Sequence, residues 1–524
     1  MRGPIRPGAS IHTDLSGGHT PAGKAVPEYI QKGSGHKKNR SACMFGPHFT
    51  AGGSRSPSLS NRSSAGYPPW GAPGVARSPA PWPGRVQLWS ARLIPDHLTV
   101  KTTELFVSTD AIPSGPSGPS ALIPAAARRP GDDPIFSLNA EAARRAAGGE
   151  SILNATLGAL VRDDGRLAVM PAVAEVMASV PAEQAAAYAP IAGTPDFLSG
   201  VITDVLGTGE LAAQAVAAAT PGGSGAIHHA FVNFLEPGES ALTTSYYWSP
   251  YRVIADHSRR GVEVFEMFDG DLRFNLEAFE AGLREIMERQ GRALVILNFP
   301  CHNPTGYSLD EGEWAAVAEI VAEAGKRGPV AFLLDWAYER FGSGERHAWL
   351  RVLPRILESA TVLVAWTASK AFTQYGSRTG ALVALHPDPE ERRRLGNAMN
   401  YSCRATWSNC NHRGMVAVGR FLLEPELQAR AAKELGELVK LLDGRVEAFN
   451  QHASRAGLRH PRYAGGFFVA VLTPDSARTA EVMREAGVFV VPIDGAVRVA
   501  LCSTPREQIP RLVAALEAGV NAAG

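Results

Sequence analysis

The sequence predicts an α/β fold: a large, mostly parallel β-sheet with helices on both faces, joined by a smaller α+β domain. From about residue 133 onward, short apolar runs alternate with stretches of helical periodicity, a pattern typical of parallel sheets. Three runs, Ala293–Phe299, Val330–Leu334 and Thr361–Trp366, are almost entirely apolar, as strands buried on both faces are. After about residue 401, long amphipathic helices dominate, with Leu422–Asn450 the clearest, and short strands follow. We therefore expect the smaller domain at the C-terminus.

Length, charge and cysteine content narrow the class of protein. A chain of 524 residues can bury a large core. Because 52 Lys and Arg residues balance 51 Asp and Glu residues, bulk charge gives no reason to expect nucleic acid or an anionic membrane as a partner. Five scattered cysteines form no CxxC pair, so we expect neither a disulfide scaffold nor a metal site. No run approaches the roughly 20 apolar residues of a membrane span, and we expect a cytoplasmic protein.

The first 130 residues differ in composition from the rest. They hold 18 of the 38 prolines and are rich in Ser, Gly and Arg. Such a stretch cannot bury enough apolar surface to offset the cost of ordering its backbone. We predict a mostly disordered extension over residues 1–130, with a partner-binding or targeting segment as the alternative.

Polar clusters follow the three apolar runs. They are His302–Gly306, Asp335–Tyr338 and Thr367–Lys370. Ligands of open α/β sheets bind at the carboxyl ends of the strands, so we expect the three clusters to converge on one site.

Two of these residues suggest a specific chemistry. Lys370 follows a buried strand, where loss of solvation lowers the pKa of an amine and favours Schiff-base formation with an aldehyde cofactor. The alternative is an ordinary lysine that reaches solvent. Asp335 ends an apolar strand, where an unpaired carboxylate would be costly, so we expect a positive partner such as a protonated pyridine nitrogen.

Two further features suit a phosphate group. Gly222, Gly223 and Ser224 precede a helical pattern, where backbone amides can bind an anion and Ser224 can serve as cap and hydroxyl donor. Arg378 offers a planar cation for bidentate phosphate binding. Each feature has an ordinary alternative: the glycines could form a simple Gly-rich turn, and the arginine could form a surface salt bridge.

Taken together, the ordered motifs resemble the class I aminotransferases of pyridoxal-phosphate fold type I, and most closely the aspartate and aromatic amino acid aminotransferase branch. The resemblance runs from about residue 133 to the C-terminus, and it implies that fold with pyridoxal 5'-phosphate as cofactor. The matching segments are Leu153–Gly158, Arg162–Gly165, Tyr188, Gly193–Phe197, Cys301–Gly306, Asp335–Tyr338, Ser369–Lys370 and Arg378.

The resemblance assigns roles to the candidate residues. It implies that Lys370 attaches the cofactor and shuttles protons, that Asp335 pairs with the ring nitrogen, and that Asn303 and Tyr338 hold the ring oxygen. The other implied cofactor-binding residues are Gly222, Gly223, Ser224, Thr367, Ser369 and Arg378 around the phosphate, Trp248 over the ring, and Tyr188 from the neighbouring subunit of a homodimer.

The resemblance also implies a substrate site. Arg498 would bind the α-carboxylate of the substrate, and Arg404 of the neighbouring subunit would bind a second, distal carboxylate of a dicarboxylic substrate. Further implied substrate contacts are Gly158, Trp248 and Asn303. Two departures stand out: Cys410–Asn411 replaces a proline pair, and Tyr251 stands where enteric-type members carry a histidine near the ring-nitrogen aspartate.

The resemblance implies transamination from an L-amino acid, aspartate and/or aromatic, to a 2-oxo acid such as 2-oxoglutarate, by a ping-pong mechanism. A C–S lyase of the same fold is the alternative, and a cofactor-sensing transcription regulator ranks last. The resemblance also suggests how the chain is divided into domains. Residues 131–200 contribute to the small domain and to dimer contacts, residues 201–400 form the large cofactor-binding domain, and residues 401–524 form the small C-terminal domain.

Overall fold

The computed structural model describes residues 120–131 and 134–524. Most of the predicted disordered extension over residues 1–130 therefore lies outside the described residues. The strands in the described part are β1 (Leu153–Asn154), β2 (Ala215–Pro221), β3 (Ser240–Thr244), β4 (Gly261–Phe265), β5 (Ala293–Leu297), β6 (Val330–Asp335), β7 (Thr361–Thr367), β8 (Thr379–Leu385), β9 (Phe468–Leu472), β10 (Val488–Phe489), β11 (Val491–Ile493) and β12 (Ala496–Ala500).

Helices separate most of these strands along the sequence. Those of the described part are α1 (Pro124–Ala127), α2 (Pro134–Ala147), α3 (Pro171–Ser179), α4 (Ala182–Ala186), α5 (Pro195–Leu206), α6 (Glu210–Ala213), α7 (Gly222–Phe234), α8 (Pro250–His257), α9 (Leu276–Gln290), α10 (Glu311–Gly325), α11 (Leu353–Leu357), α12 (Ala368–Ala371), α13 (Pro389–Thr406), α14 (His412–Leu423), α15 (Pro425–Arg455), α16 (Ser476–Glu485) and α17 (Ile509–Ala523).

The large sheet has seven strands in the order β2-β8-β7-β6-β5-β3-β4. The pairs from β4 to β7 are parallel, whereas β8 runs antiparallel to both β7 and β2. The predicted α/β class with a mostly parallel sheet is therefore confirmed. The antiparallel edge is common in open sheets of this kind.

Helices cover both faces of this sheet. Successive strand residues point to opposite faces, so alternate residues of β5 and β6 enter two separate apolar cores. Leu294 and Ile296 pack on the side of α7, α8 and α13, whereas Val295 and Leu297 pack on the side of α5, α9 and α10. This double coverage explains why the strand sequences are apolar at nearly every position.

The three predicted strands form β5, β6 and β7, with small shifts at their ends. The first strand ends at Leu297 rather than Phe299, and directly after it the side chain of Asn298 donates to the carbonyl of Asp335 in β6. The second extends to Asp335, which pairs in register with Ala365 of β7. The three polar clusters consequently follow three adjacent strands at one edge of the sheet.

The C-terminal part of the chain forms smaller sheets. β9, β12 and β11 make a three-stranded antiparallel sheet, and β10 pairs in parallel with β1. The long helix predicted over Leu422–Asn450 is in fact divided between α14 and α15, because Pro425 cannot continue a helix and instead opens the second one. No helix in residues 120–131 or 134–524 is long and apolar enough to cross a membrane.

Candidate active site

A cavity of about 150 Å³ lies where the polar clusters converge. Ten of the predicted site residues line it: Gly223, Ser224, Trp248, Asn303, Asp335, Tyr338, Thr367, Ser369, Lys370 and Arg378. Asn298 and Ala337 complete the lining. The expected convergence at the carboxyl ends of β5, β6 and β7 is therefore what the structure shows.

Lys370 is held within the first turn after β7. Thr367 is the N-cap of α12, accepting a hydrogen bond from the Ser369 amide at 3.2 Å, and this turn positions the lysine side chain inward. Burial lowers the pKa of Lys370 to about 8, and the charge of Arg378 adds to this effect. The Nζ atom lies 4.9 Å from the ring centre of Tyr375 and 5.7 Å from that of Tyr338. Roughly a tenth of this amine is therefore uncharged at pH 7, a far larger share than for a lysine with the ordinary pKa of about 10.5.

Asp335 has a short hydrogen bond to a buried phenol. Tyr251 donates to Oδ2 of Asp335 at 2.6 Å, and both side chains are buried. Burial raises the pKa of Asp335 to about 6, while the Tyr251 hydrogen bond and the charge of Lys370 oppose that rise. A further positive charge at the carboxylate would hold it ionised, which is consistent with the expected positive partner of Asp335.

A hydrogen-bonded chain links the end of β5 to Tyr338. Asn298 donates to the backbone carbonyl of Asp335 at 2.8 Å and accepts from the amide of Asn303 at 2.7 Å. Asn303 then donates through Nδ2 to the Tyr338 hydroxyl at 3.3 Å. These hydrogen bonds hold Asn303 and Tyr338 on the same side of the cavity, where both can form a hydrogen bond with one ligand atom.

Arg378 and the start of α7 form the other end of the cavity. Gly222 adopts φ +67°, and a Cβ at this position would lie 2.5 Å from Nη2 of Arg378. Only glycine therefore lets the guanidinium approach the helix start. In the described part of the chain, this guanidinium donates hydrogen bonds to uncharged oxygens of Ser369, Tyr375 and Pro221.

This end of the cavity fits a phosphate. Arg378 forms no hydrogen bond to a carboxylate within the described part of the chain. Its guanidinium lies beside the backbone amides in the first turn of α7, a 13-residue helix, and beside the hydroxyls of Thr367 and Ser369. One expectation is wrong: Ser224 does not cap the helix, since Pro221 is the N-cap and supplies no side-chain hydrogen bond. The helix begins at Gly222, so Ser224 lies inside the first turn, with its hydroxyl at the cavity wall.

Arg498 and Gly158 lie outside the cavity lining but meet each other at Phe468. Arg498 is buried in β12, donates through Nη2 to the carbonyl of Thr156 at 2.7 Å, and stacks 4.6 Å from the Phe468 ring centre. A Cβ on Gly158 would lie 2.8 Å from Cζ of the same ring. Phe468 in turn meets Tyr338 edge-on at 5.9 Å, so this group adjoins the cavity.

Tyr188 and Arg404 do not reach the cavity of their own chain. Tyr188 is 90 % exposed, and Arg404, also exposed, donates to Ser408 at 2.5 Å. The roles implied for both residues require a neighbouring subunit.

Several residues of the site were not among the predicted ones. Asn298 directly follows a buried strand, the same signal that identified the other clusters, and could have been found. Tyr375 packs against Lys370 and accepts from the Leu160 amide at 3.0 Å, a contact that no local pattern indicates. Tyr251 departs from the family pattern in the sequence, but its hydrogen bond to Asp335 is apparent only from the structure.

The sequence is similar to those of known proteins. The family described as "Aminotransferase class I and II" matches residues 155–516. An aspartate aminotransferase of Pseudomonas aeruginosa is 28 % identical over 373 residues, which cover 68 % of this chain and 90 % of that protein. An aromatic-amino-acid aminotransferase of Paracoccus denitrificans is 32 % identical over 254 residues, covering 47 % and 62 % respectively.

Solved structures show the same fold. An aminotransferase of Anaerococcus prevotii superposes with a TM-score of 0.72 at 29 % identity, covering 77 % of this chain and 100 % of that one. An aromatic-amino-acid aminotransferase of Burkholderia pseudomallei, described as covalently bound to pyridoxal phosphate, gives 0.64 at 25 % identity over 76 % and 99 %. The chain therefore belongs to the class I and II aminotransferase family and has the fold type I architecture.

Proposed function

We propose that this enzyme, a pyridoxal-phosphate-dependent aminotransferase, moves the amino group of aspartate and/or an aromatic L-amino acid to a 2-oxo acid, 2-oxoglutarate in particular, by a ping-pong mechanism. The observation that carries the proposal is the buried amine of Lys370, whose pKa is lowered to about 8, placed between the Asp335 carboxylate and the anion-binding end at Arg378.

Each group of the cavity has one part of the cofactor to hold. Ser369 and Arg378, with Gly223, Ser224 and Thr367, would bind the phosphate, and Gly222 would admit the guanidinium. Asp335 would pair with the ring nitrogen. Tyr338 and Asn303 would hold the ring oxygen, since they are already hydrogen-bonded to each other. Trp248, which also lines the cavity, would cover the ring.

Pyridoxal phosphate supplies an aldehyde that captures the substrate amine and a ring that accepts electrons from the α-carbon. Lys370 would hold the cofactor through Nζ, and its free amine would take the proton from the α-carbon of the substrate and return it. The burial that lowers its pKa prepares it for both tasks. Asp335, once ionised, would pair with the ring nitrogen and stabilise a positive charge there.

The substrate is proposed to be held by two arginines. Arg498 would bind the α-carboxylate, and Trp248, Asn303 and Gly158 would contact the rest of the amino acid. Arg404 would read a distal carboxylate from the neighbouring subunit. The relatives named as aspartate and aromatic-amino-acid aminotransferases support both substrate classes.

We also propose a homodimer, in which Tyr188 and Arg404 each serve the partner's cavity. Their exposure in the single chain supports this arrangement. Residues 131–200 would contribute dimer contacts, residues 201–400 the cofactor domain, and residues 401–524 the small domain. The four described cysteines are free thiols, which supports a reducing cytoplasmic compartment.

Borohydride reduction tests the central claim. Treating the holoenzyme with borohydride should fix the cofactor to one peptide, the one that contains Lys370. The Lys370→Ala variant should lose both this label and turnover, whereas Lys326→Ala, which removes an exposed lysine paired with Glu323, should keep both. A fully active Lys370→Ala enzyme would overturn the assignment.

A donor and acceptor panel tests the substrates. Arg404→Ala should lower kcat/KM for aspartate by about tenfold or more while sparing aromatic donors, because a charge-assisted hydrogen bond is lost. Arg393→Ala, on the same helix and paired with Glu390, is the matched control. Unchanged aspartate turnover with a fall in aromatic turnover would refute the role of Arg404. Pyruvate and ammonia formed without an amino acceptor would indicate the C–S lyase instead.

A further inference from the structure

A second cavity, of about 450 Å³, lies on the other side of the segment that carries Lys370. Its walls come from α5, from Ala371 and Phe372 directly after the lysine, from α14 and α15, and from the chain that follows β6. We call it the Arg340–Arg346 cavity, after the two arginines of that last segment. Its volume falls within the roughly 300–1,000 Å³ typical of small-molecule sites.

Most of the lining is apolar. The larger apolar side chains are Leu206, Leu350, Phe372, Phe421, Leu422 and Leu435. Such a surface favours a ligand with an aliphatic or aromatic body, because burying that body removes apolar area from water.

The charged groups of the cavity form one network around Asp204. This carboxylate accepts from Nη2 of Arg340 at 2.6 Å, Nη2 of Arg346 at 2.8 Å and Nε1 of Trp366 at 2.9 Å. Three donors thus stabilise its negative charge. The neighbouring Glu339 is buried and lies 3.4 Å from Nη2 of Arg346, and burial raises the pKa of its carboxyl.

The guanidinium groups still have donors outside this network. The contacts of Arg346 with both carboxylates use Nη2 alone, and its Nε is buried without a hydrogen-bond partner among the described residues. The Nε of Arg340 lies 3.3 Å from Glu339 but also lacks hydrogen-bond geometry. These two Nε atoms are enclosed by protein, whereas Nη1 of each arginine is not enclosed and makes no hydrogen bond within the described part of the chain, so the two Nη1 groups are the donors that a ligand could use.

We infer that the Arg340–Arg346 cavity binds a small organic anion, a monocarboxylate with an apolar aliphatic or aromatic body. The carboxylate would accept from the free donors of the two arginines, and the body would lie among the leucine and phenylalanine side chains. This site is separate from the cofactor cavity. A bound ligand would contact Ala371 and Phe372, next to Lys370.

Calorimetric titration of the holoenzyme with 4-phenylbutyrate tests the inference, with the neutral 4-phenylbutanamide as the matched ligand. We expect the carboxylate to bind with a dissociation constant of about 1 mM or tighter, and the amide to bind about tenfold more weakly or not at all. No binding of the carboxylate, or equal binding of the two compounds, would overturn the inference.

Variants locate the site. Ala432→Trp should fill the cavity from α15 and abolish binding, whereas Ala429→Trp, an exposed position of the same helix outside the lining, should not change it. Arg346→Gln should weaken binding about tenfold, and Asp204 keeps Arg340 and Trp366 as donors in that variant. If Ala432→Trp fails to fold, Arg346→Gln decides the question alone.

Arg498→Leu separates this cavity from the proposed substrate site. Binding that persists in Arg498→Leu and falls in Arg346→Gln supports the inference. Binding that disappears in Arg498→Leu and persists in Arg346→Gln places the ligand in the substrate site and refutes it. Because the measurement is binding and not turnover, it is independent of the proposed reaction.

Discussion

Replacing Tyr251 with phenylalanine should change the acidity of Asp335. The substitution removes the hydroxyl that donates to Oδ2 at 2.6 Å and leaves the ring in its buried position, edge-on to Trp248. A hydrogen bond to a charged group contributes about 1.5–3 kcal/mol, which corresponds to about one to two pKa units. Since the pKa of Asp335 is already raised to about 6 by burial, we expect about 7 to 8 in Tyr251→Phe.

The direction of this pKa change depends on which protonation state of Asp335 the Tyr251 hydroxyl stabilises. Tyr251 donates to the ionised carboxylate, so its loss favours the protonated form and moves the titration to higher pH. Carbon-13 NMR titration of aspartate-labelled apoenzyme measures this directly, with the Asp335 signal assigned by Asp335→Asn. Tyr247→Phe is the control, because Tyr247 stacks on Tyr251 at 6.2 Å but its hydroxyl accepts from Arg252 instead. An Asp335 titration that is unmoved in Tyr251→Phe would refute the reasoning.

Three further outcomes follow from the site. In the apoenzyme, Lys370→Met should raise the free energy of unfolding at about pH 7 by up to roughly 3 kcal/mol, because burial lowers the folded-state pKa of this amine to about 8. The cost of burying the charged amine is greatest below that pH and falls to zero as the pH rises toward about 10.5. Urea denaturation of both proteins at two pH values would show this difference. Arg378→Ala should weaken binding of pyridoxal phosphate about 100-fold in an equilibrium titration, and Arg378→Lys should weaken it less; equal affinity in all three proteins would contradict the phosphate role. Gly158→Ala should cost about 1–3 kcal/mol in thermal unfolding, since its Cβ would lie 2.8 Å from Cζ of Phe468, and an unchanged melting temperature would show that the ring yields freely.

The sequence was informative where function depends on a local pattern. An apolar run followed by a polar cluster indicated Asn303, Asp335 and Lys370, which line one cavity in the structure, because strand periodicity and the rule for strand ends are both local. Pro425 is an equally local signal for the end of a helix. The boundary between α14 and α15 was nevertheless not predicted, because the amphipathic pattern continues on both sides of the proline.

What the sequence did not reveal depends on contacts between distant segments. Tyr251 and Asp335 are 84 residues apart, and no periodicity places the phenol against the carboxylate. The Arg340–Arg346 cavity likewise arises only where helices from different parts of the chain meet. The roles of Tyr188 and Arg404 involve a second subunit and stay predictions.

The pairing of β1 with β10 also affects how the molecule assembles. Leu153 aligns with Val488 and Asn154 with Phe489, so one of the first strands of the described body gains its neighbour only after most of the polypeptide has been synthesised. The seven-stranded sheet, from Ala215 to Leu385, contains all its own partners and can form earlier during translation. Closing so large a loop is entropically slow. The carbonyl of Thr156, which receives the Arg498 guanidinium, comes directly after this strand, so the proposed substrate site would be among the last parts of the enzyme to form.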